Sequence, residues 1–392
     1  MEDFIYHNPT EIRFGDHLDN ELTDTLAQFG HRVLLVYGGH SIKHNGLYHR
    51  VLDLLADFEV QELGGVAPNP KIDSVRAGQK LAQNVDVVLA VGGGSVVDCA
   101  KVIAMAAHYP DDPWQLVVDR DLAAKQSMLP VVDILTLAAT GSEMNINAVI
   151  SDPSQHLKVG ARCPHGPNVS FLDPALTTTV PASQTAAGSM DIFSHLCEQY
   201  FDRAWPNDAS QGMIEGLMRT VITWAPVAIA APDNLNARSN LMWTATAALN
   251  GMVGAGTVNH WSCHAMEHQL SAVYDVTHGV GLGILTPRWM QYVLDHDTST
   301  AALFARFGHR VWDLPTTGPL VKQAQAAIAA TATWIAALGF GMTLPAIGIP
   351  DTTHFTEMAQ VAAANGLDHA YYPLDANAVV KIYQACMTPG LH

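Results

Sequence analysis

Charge is scarce in this chain of 392 residues: Asp, Glu, Lys and Arg make up 15% of it, and an excess of acids leaves a formal net charge of −17. A nucleic-acid-binding face needs clustered Lys and Arg to neutralise phosphates, so no nucleic-acid partner is expected. Cysteine is thin as well. The five residues Cys99, Cys163, Cys197, Cys263 and Cys386 are scattered, odd in number and without a CxxC pair. That argues against a disulfide framework and suits a reducing cytosol, so a cytoplasmic location is expected. The opening "MEDFIYHNPTEIRFG" is acidic and polar, unlike a signal peptide. Long hydrophobic runs are missing too. The stretch from Ala324 to Pro350 carries no charge, but its apolarity is mostly Ala, and Gly339, Gly341 and Pro345 break it. It reads as a buried helix near 319–338 followed by a turn, and no membrane partner is expected.

Hydrophobic residues make up 48% of the chain, enough for a large core, and the length suggests two domains. The first half alternates short β-branched runs with helical segments. Strands are predicted at 32–39, 59–63 and 86–95, and helices at 46–58, 71–84 and 96–109. Strands that are apolar throughout, such as "DVVLAVGGGS", predict a parallel sheet covered on both faces, hence an open doubly wound α/β domain. Further short strands are predicted at 131–137, 147–151, 157–162 and 168–174. The pattern changes near "TTTVPASQTAAG" (177–188), beyond which Ala-, Leu- and Met-rich helical spacing dominates. The expected division is an α/β domain over 1–178 and an all-helical domain over 179–392.

Glycine loops follow two of the strands. In open α/β sheets ligands bind beyond the carboxyl ends of strands. "GGGS" at 92–95 lies there and opens a helix, whose unpaired N–H groups and positive dipole end suit a phosphate. The spacing is not GxGxxG, so the usual dinucleotide fingerprint is absent. After strand 32–37 comes "GGHSIKHNG", with no Asp or Glu to hold ribose hydroxyls. Gly, Ser and Lys43 there suit a ribose 2′-phosphate, which favours NADP over NAD.

The helical half carries the chemistry. In "AAGSMDIFSHLCEQYF" (186–201), Asp191 and His195 are four residues apart, one above the other on a helix, among residues that belong in a core. "HWSCHAMEHQLSAVYDVTHGVG" (260–281) repeats the spacing with His264 and His268, and His278 follows before Gly279. Asp191 needs a partner or a metal, because an isolated buried charge is costly. Asp191 and His195, joined by two histidines of the second segment, would make a four-ligand N/O site suited to Fe(II) or Zn(II).

The order GGGS with Asp98 and Lys101, then "TGSE" (140–143), "GSMDIFSH", "HAMEH" and "HG" resembles the iron-containing (group III) alcohol dehydrogenases, in particular their NADP-dependent butanol dehydrogenase and aldehyde reductase branch. The resemblance covers nearly the whole chain. It implies a Rossmann-like parallel-sheet domain and an all-α domain, the architecture of dehydroquinate synthase, with the active site in the cleft between them. It implies metal ligands at Asp191, His195, His264 and His278, and a proton relay at His268. It places the pyrophosphate at Gly93, Gly94 and Ser95, and the 2′-phosphate at Gly38, Gly39 and Ser41, where NAD-using relatives tend to have Asp at the Gly39 position. Asn69, Thr136, Asn147, Lys158 and Leu176 fall on further cofactor contacts. The implied reaction is hydride transfer between NADP(H) and a small primary alcohol or aldehyde, in a homodimer. Glycerol or polyol oxidation is one alternative. A lyase resembling 3-dehydroquinate synthase is another, though segments 186–200 and 259–286 contain no Lys or Arg for a phosphorylated substrate. Three positions depart from the family pattern: Ser189 and Ser271 stand where Gly is common, and Thr277 where Pro is common.

Overall fold

The computed structural model describes residues 1–258 and 260–390. Two compact units emerge. One comprises His7–Val180 with Pro232–Asn250, the other Met1–Tyr6, Pro181–Ala231 and Gly251–His392.

The first unit is built on strands β1 (Glu11–Phe14), β2 (Arg32–Tyr37), β3 (Glu59–Leu63), β4 (Val87–Gly92), β5 (Val131–Leu135) and β8 (Val169–Leu172). They form one parallel sheet in the order β1-β8-β5-β4-β2-β3. Strands β6 (Asn147–Asp152) and β7 (Leu157–Arg162) pair as an antiparallel hairpin apart from it. The continuous apolar runs have the expected cause. Along β2, Val33, Leu35 and Tyr37 join the core on one face of the sheet, and Leu34 and Val36 join the core on the other. From β2 the chain runs outward to β3. From β4, the other neighbour of β2, it runs the opposite way to β5. This reversal opens a crevice beyond the carboxyl ends of β2 and β4, the place where such sheets bind ligands.

The helix Leu235–Leu249 belongs to this unit, so the contiguous division at 178/179 does not describe it. Met242 enters the sheet's core, and the Thr246 hydroxyl donates to Glu143 at 2.6 Å. Its Ala- and Thr-rich sequence resembles its helical neighbours in the chain, and only packing assigns it.

The second unit is helical, with no strand among its described residues. Its main helices are Ala182–Tyr200, Asp208–Ala230, Cys263–Tyr274, His278–His296, Ala301–Trp312 and Leu320–Ala337. The last of these contains the start of the charge-free stretch, from Ala324 onward. It buries Ala324, Ala327, Ile328, Thr331, Trp334 and Ile335, and the turn after it bends at Gly339 with φ 91°. The helix Asp208–Ala230 is long and apolar enough to cross a membrane by length and composition. Its buried residues Ser210, Ile214, Met218, Val221, Ala225 and Ala228 recur at helical spacing, as on a core helix packed along one face.

Candidate functional site

The helix Ala182–Tyr200 is buried on all sides from Thr185 to Tyr200, and Asp191 is buried with it. Around its Oδ1 stand the Nε2 atoms of His195 at 3.4 Å, His278 at 3.6 Å and His264 at 3.7 Å. These separations exceed good hydrogen-bond lengths. Asp191 Oδ1 and His264 Nε2 are buried without a hydrogen-bond partner among the described residues. Orphaned polar atoms facing one another are costly unless something sits between them. A divalent ion fits that need, and the donor set of three imidazole nitrogens and one carboxylate oxygen matches Fe(II) or Zn(II). Asp191, His195 and His264 group on their own, while His278 also turns its other ring nitrogen toward Glu267 near His268. His268, half-buried, lies beside the cluster, its ring 5.6 Å from that of His278 and 6.4 Å from that of His264.

The electrostatics follow from this crowding. Burial works to raise the Asp191 pKa, but the three facing imidazoles override it and hold the carboxylate far below its usual range. Burial drives His195 down to about 3. For His264 burial pulls the same way, yet Asp191 and Glu198 outweigh it and lift the ring to about 9. Burial pushes the Cys197 and Cys263 thiols well up, so neither offers a thiolate.

In the α/β unit most of the remaining sequence-predicted residues follow strands of the parallel sheet, while Asn147 and Lys158 lie at the starts of the hairpin strands β6 and β7. Gly38, Gly39 and Ser41 follow β2, Asn69 lies in the loop after β3, and Gly93, Gly94 and Ser95 follow β4. Thr136 succeeds β5 and donates its backbone N–H to Gly92 O at 2.9 Å, Asn147 opens β6, Lys158 lies on β7, and Leu176 sits in the turn after β8. Gly94 is required by contact, since a Cβ there would lie 2.1 Å from Thr140 Oγ1, so the "GGGS" and "TGSE" turns touch. Gly39 is different: it has no positive φ, and a Cβ would meet nothing within 4 Å. The fold tolerates a side chain there. Asn69 holds φ 50°, a conformation uncommon outside glycine.

Comparison with known proteins identifies the family. The sequence model of the iron-containing alcohol dehydrogenases matches residues 9–174, and that of the family's C-terminal domain matches 185–387. The chain belongs to the iron-containing alcohol dehydrogenase family. It is 41% identical to NADH-dependent butanol dehydrogenase A of Clostridium acetobutylicum, over 98% of this chain and 99% of that one. It is 38% identical to the NADPH-dependent aldehyde reductase YqhD of Escherichia coli, over 89% and 90%. The crystal structure of NADH-dependent butanol dehydrogenase A from Thermotoga maritima superposes with a TM-score of 0.90 at 35% identity, covering 99% of both chains. Membership in the iron-containing alcohol dehydrogenase family implies a metal ion and a nicotinamide cofactor.

Two carboxylates of this family member escaped sequence reasoning. Glu198 accepts the backbone N–H groups of Ser262 and His264, each at 2.9 Å, and its Oε1 lies 3.3 Å from His264 Nδ1. Glu267 accepts from His278 Nδ1 and from the Ser271 hydroxyl. Both are buried. Their signal was present: a Glu three residues after a candidate ligand on the same helix face, in an apolar setting. Two of the three departures from the family pattern also find a place. Ser189 bonds back to Thr185 O at 2.8 Å within its helix, and Ser271 supports Glu267.

Proposed function

We propose that this iron-containing alcohol dehydrogenase interconverts small aliphatic aldehydes and primary alcohols with NADP(H). One observation carries the reading: three imidazole nitrogens converge on one buried carboxylate oxygen that lacks a hydrogen-bond partner among the described residues. Asp191, His195, His264 and His278 would hold the ion, Fe(II) in our reading and Zn(II) as the other candidate. The ion supplies Lewis acidity toward an oxygen on which charge develops, and the nicotinamide supplies or accepts the hydride. His268 is half-buried beside His278, where it can pass a proton between solvent and the reacting oxygen. The Trp261 ring stands 4.6 Å from that of His264 and 5.6 Å from that of His195, and gives this side an apolar wall suited to an aliphatic chain.

In this reading the N–H groups of Gly93, Gly94 and Ser95 receive the pyrophosphate at a helix N-terminus. Gly38, Gly39 and Ser41 receive the 2′-phosphate, and Asn69, Thr136, Asn147, Lys158 and Leu176 line the rest of the cofactor. Support for NADP over NAD comes from the open space at Gly39 and from Lys43, whose ammonium lies over the rings of Tyr37 at 4.9 Å and Tyr48 at 4.6 Å. The relatives' names divide on this point, the Clostridium enzyme being NADH-dependent and YqhD NADPH-dependent. We take the enzyme to be a cytoplasmic homodimer. The test is oxidation of NADPH and of NADH with butanal, using enzyme reloaded anaerobically with Fe(II) or Zn(II). Metal-dependent turnover favouring NADPH supports the whole reading. Preference for NADH overturns the cofactor assignment alone, and no turnover in any combination overturns the function.

A further inference from the structure

We infer that Glu267 and Glu198 are positioning residues which fix the ring orientation and tautomer of two metal ligands, and that Ser271 completes the support of Glu267. The inference rests on the metal site proposed above. An imidazole that binds a metal through Nε2 must carry its proton on Nδ1, and an acceptor at Nδ1 selects that tautomer. His278 turns Nε2 toward Asp191 and donates Nδ1–H to Glu267. His264 does the same with Glu198. His195 differs, because its buried Nδ1 has no hydrogen-bond partner among the described residues. It sits one helical turn from Asp191 and is held by packing, its ring stacked on that of His264 at 4.9 Å and beside that of Trp261 at 5.6 Å.

The two glutamates are themselves held. Glu198, on the helix Ala182–Tyr200, also accepts the backbone N–H groups of Ser262 and His264 at the start of the helix Cys263–Tyr274. It therefore anchors the ligand's backbone as well as its ring, doing at this helix start what a capping side chain does. Glu267 lies beneath the helix His278–His296, in room left by Gly281, where a Cβ would stand 2.8 Å from Glu267 Cγ. Its Oε2 accepts from His278, and its Oε1 accepts from Ser271.

The experiment uses Co(II) as a coloured probe. Metal-free wild type, Glu267→Gln, Glu198→Gln and Ser271→Ala are titrated with Co(II) against a competing chelator, and the visible ligand-field spectrum is recorded. Losing the support of a ligating histidine weakens metal binding by about 10–100-fold, expected for each Gln variant, with altered band positions. Ser271→Ala removes the hydroxyl that donates to Glu267 and also faces Val276 O at 3.1 Å; loss of the bond to Glu267, about 1 kcal/mol, should weaken binding about fivefold. Circular dichroism of the metal-free proteins separates folding from positioning, and Ser271→Ala keeps the test available should a Gln variant fail to fold. Co(II) binding within twofold of wild type and an unchanged spectrum in the folded variants would overturn the inference. A wild type that takes up no Co(II) would overturn the metal site itself.

Discussion

Gly279 sets how closely two ligand-bearing helices approach. A Cβ built there would lie 1.9 Å from the carbonyl oxygen of Ala187, on the helix that carries Asp191 and His195. Carbon and oxygen do not approach within about 3 Å without bonding, so an alanine must part the helices by more than about 1 Å at this point. The obstructing atom is backbone, so no rotamer change relieves the clash. His278 is the adjacent residue and moves with the helix start, its Nε2 now 3.6 Å from Asp191 Oδ1. Metal–ligand distances tolerate about 0.2 Å, so a shift several times larger would remove one of the four proposed donors. Overpacking of this kind costs about 1–3 kcal/mol, a drop of a few degrees in Tm for a chain this long. Gly279→Ala should therefore remain folded and lose its metal. The assay is metal content per chain after dialysis against a weak chelator, with a thermal melt alongside. Gly216→Ala serves as control: its Cβ meets nothing within 4 Å, and it should keep its metal and gain about 0.5–1 kcal/mol of stability. A Gly279→Ala protein with a full equivalent of metal and wild-type turnover would refute the reasoning.

Asp191→Ala should lose metal and activity together, and a variant retaining both would show that the ligand set is wrong. Gly39→Asp should fold normally and disfavour NADPH: a carboxylate about 5 Å from a doubly charged phosphate costs about 1.7 kcal/mol even at the dielectric of water, about a 17-fold loss. An unchanged ratio of kcat/KM for NADPH and NADH would count against the 2′-phosphate position. Burial lifts Asp133 well above the ordinary carboxylate range, with the Ser170 hydroxyl as its hydrogen-bond donor. A raised folded-state pKa gives stability that is full below the unfolded value and is lost as pH rises through the folded one. The Tm of Asp133→Asn should therefore gain on wild type as pH rises, and a difference independent of pH would contradict this.

Most of the fold was legible because apolar periodicity and glycine position report directly on the sheet. Strand Glu59–Leu63 falls where its sequence predicts, and the other predicted strands begin within about two residues of their observed starts. Strand β1 was not predicted. "EIRF" is four residues long with both ends exposed, and its strand character comes from lying beside β8 at the sheet's edge. The placement of the helix Leu235–Leu249 was hidden for a related reason, since a helix with apolar residues on several sides does not say which core it joins. At the site, Asp191, His195, His264 and His278 stood out because a carboxylate and imidazoles at helical spacing among apolar residues need a reason to be there. Glu198 and Glu267 did not. A glutamate on a helix usually marks a solvated face, and only the approach of other segments turns these two inward.

That inward turn raises a question of charge. Asp191, Glu198 and Glu267 are all buried, and the proposed divalent ion would supply positive charge among them. Each carboxylate stands beside an imidazole, Glu198 at His264, Glu267 at His278 and Asp191 at both, and a buried carboxylate left without a partner is strongly destabilising. The raised pKa of His264, about 9, supplies a remedy: near neutral pH the metal-free site holds a proton on this ring, between Asp191 and Glu198. Folding and metal loading are thereby uncoupled, because a proton stands in for part of the ion's charge. Loading must then expel that proton, so metal affinity should rise with pH until the ring gives up its proton unaided. Calorimetry in buffers of different ionisation enthalpy should count about one proton released per metal at pH 7. Chelation at that pH should leave helical circular dichroism intact and allow full reloading. Unfolding on chelation, or metal binding with no proton released, would show that the carboxylates are balanced by the ion alone.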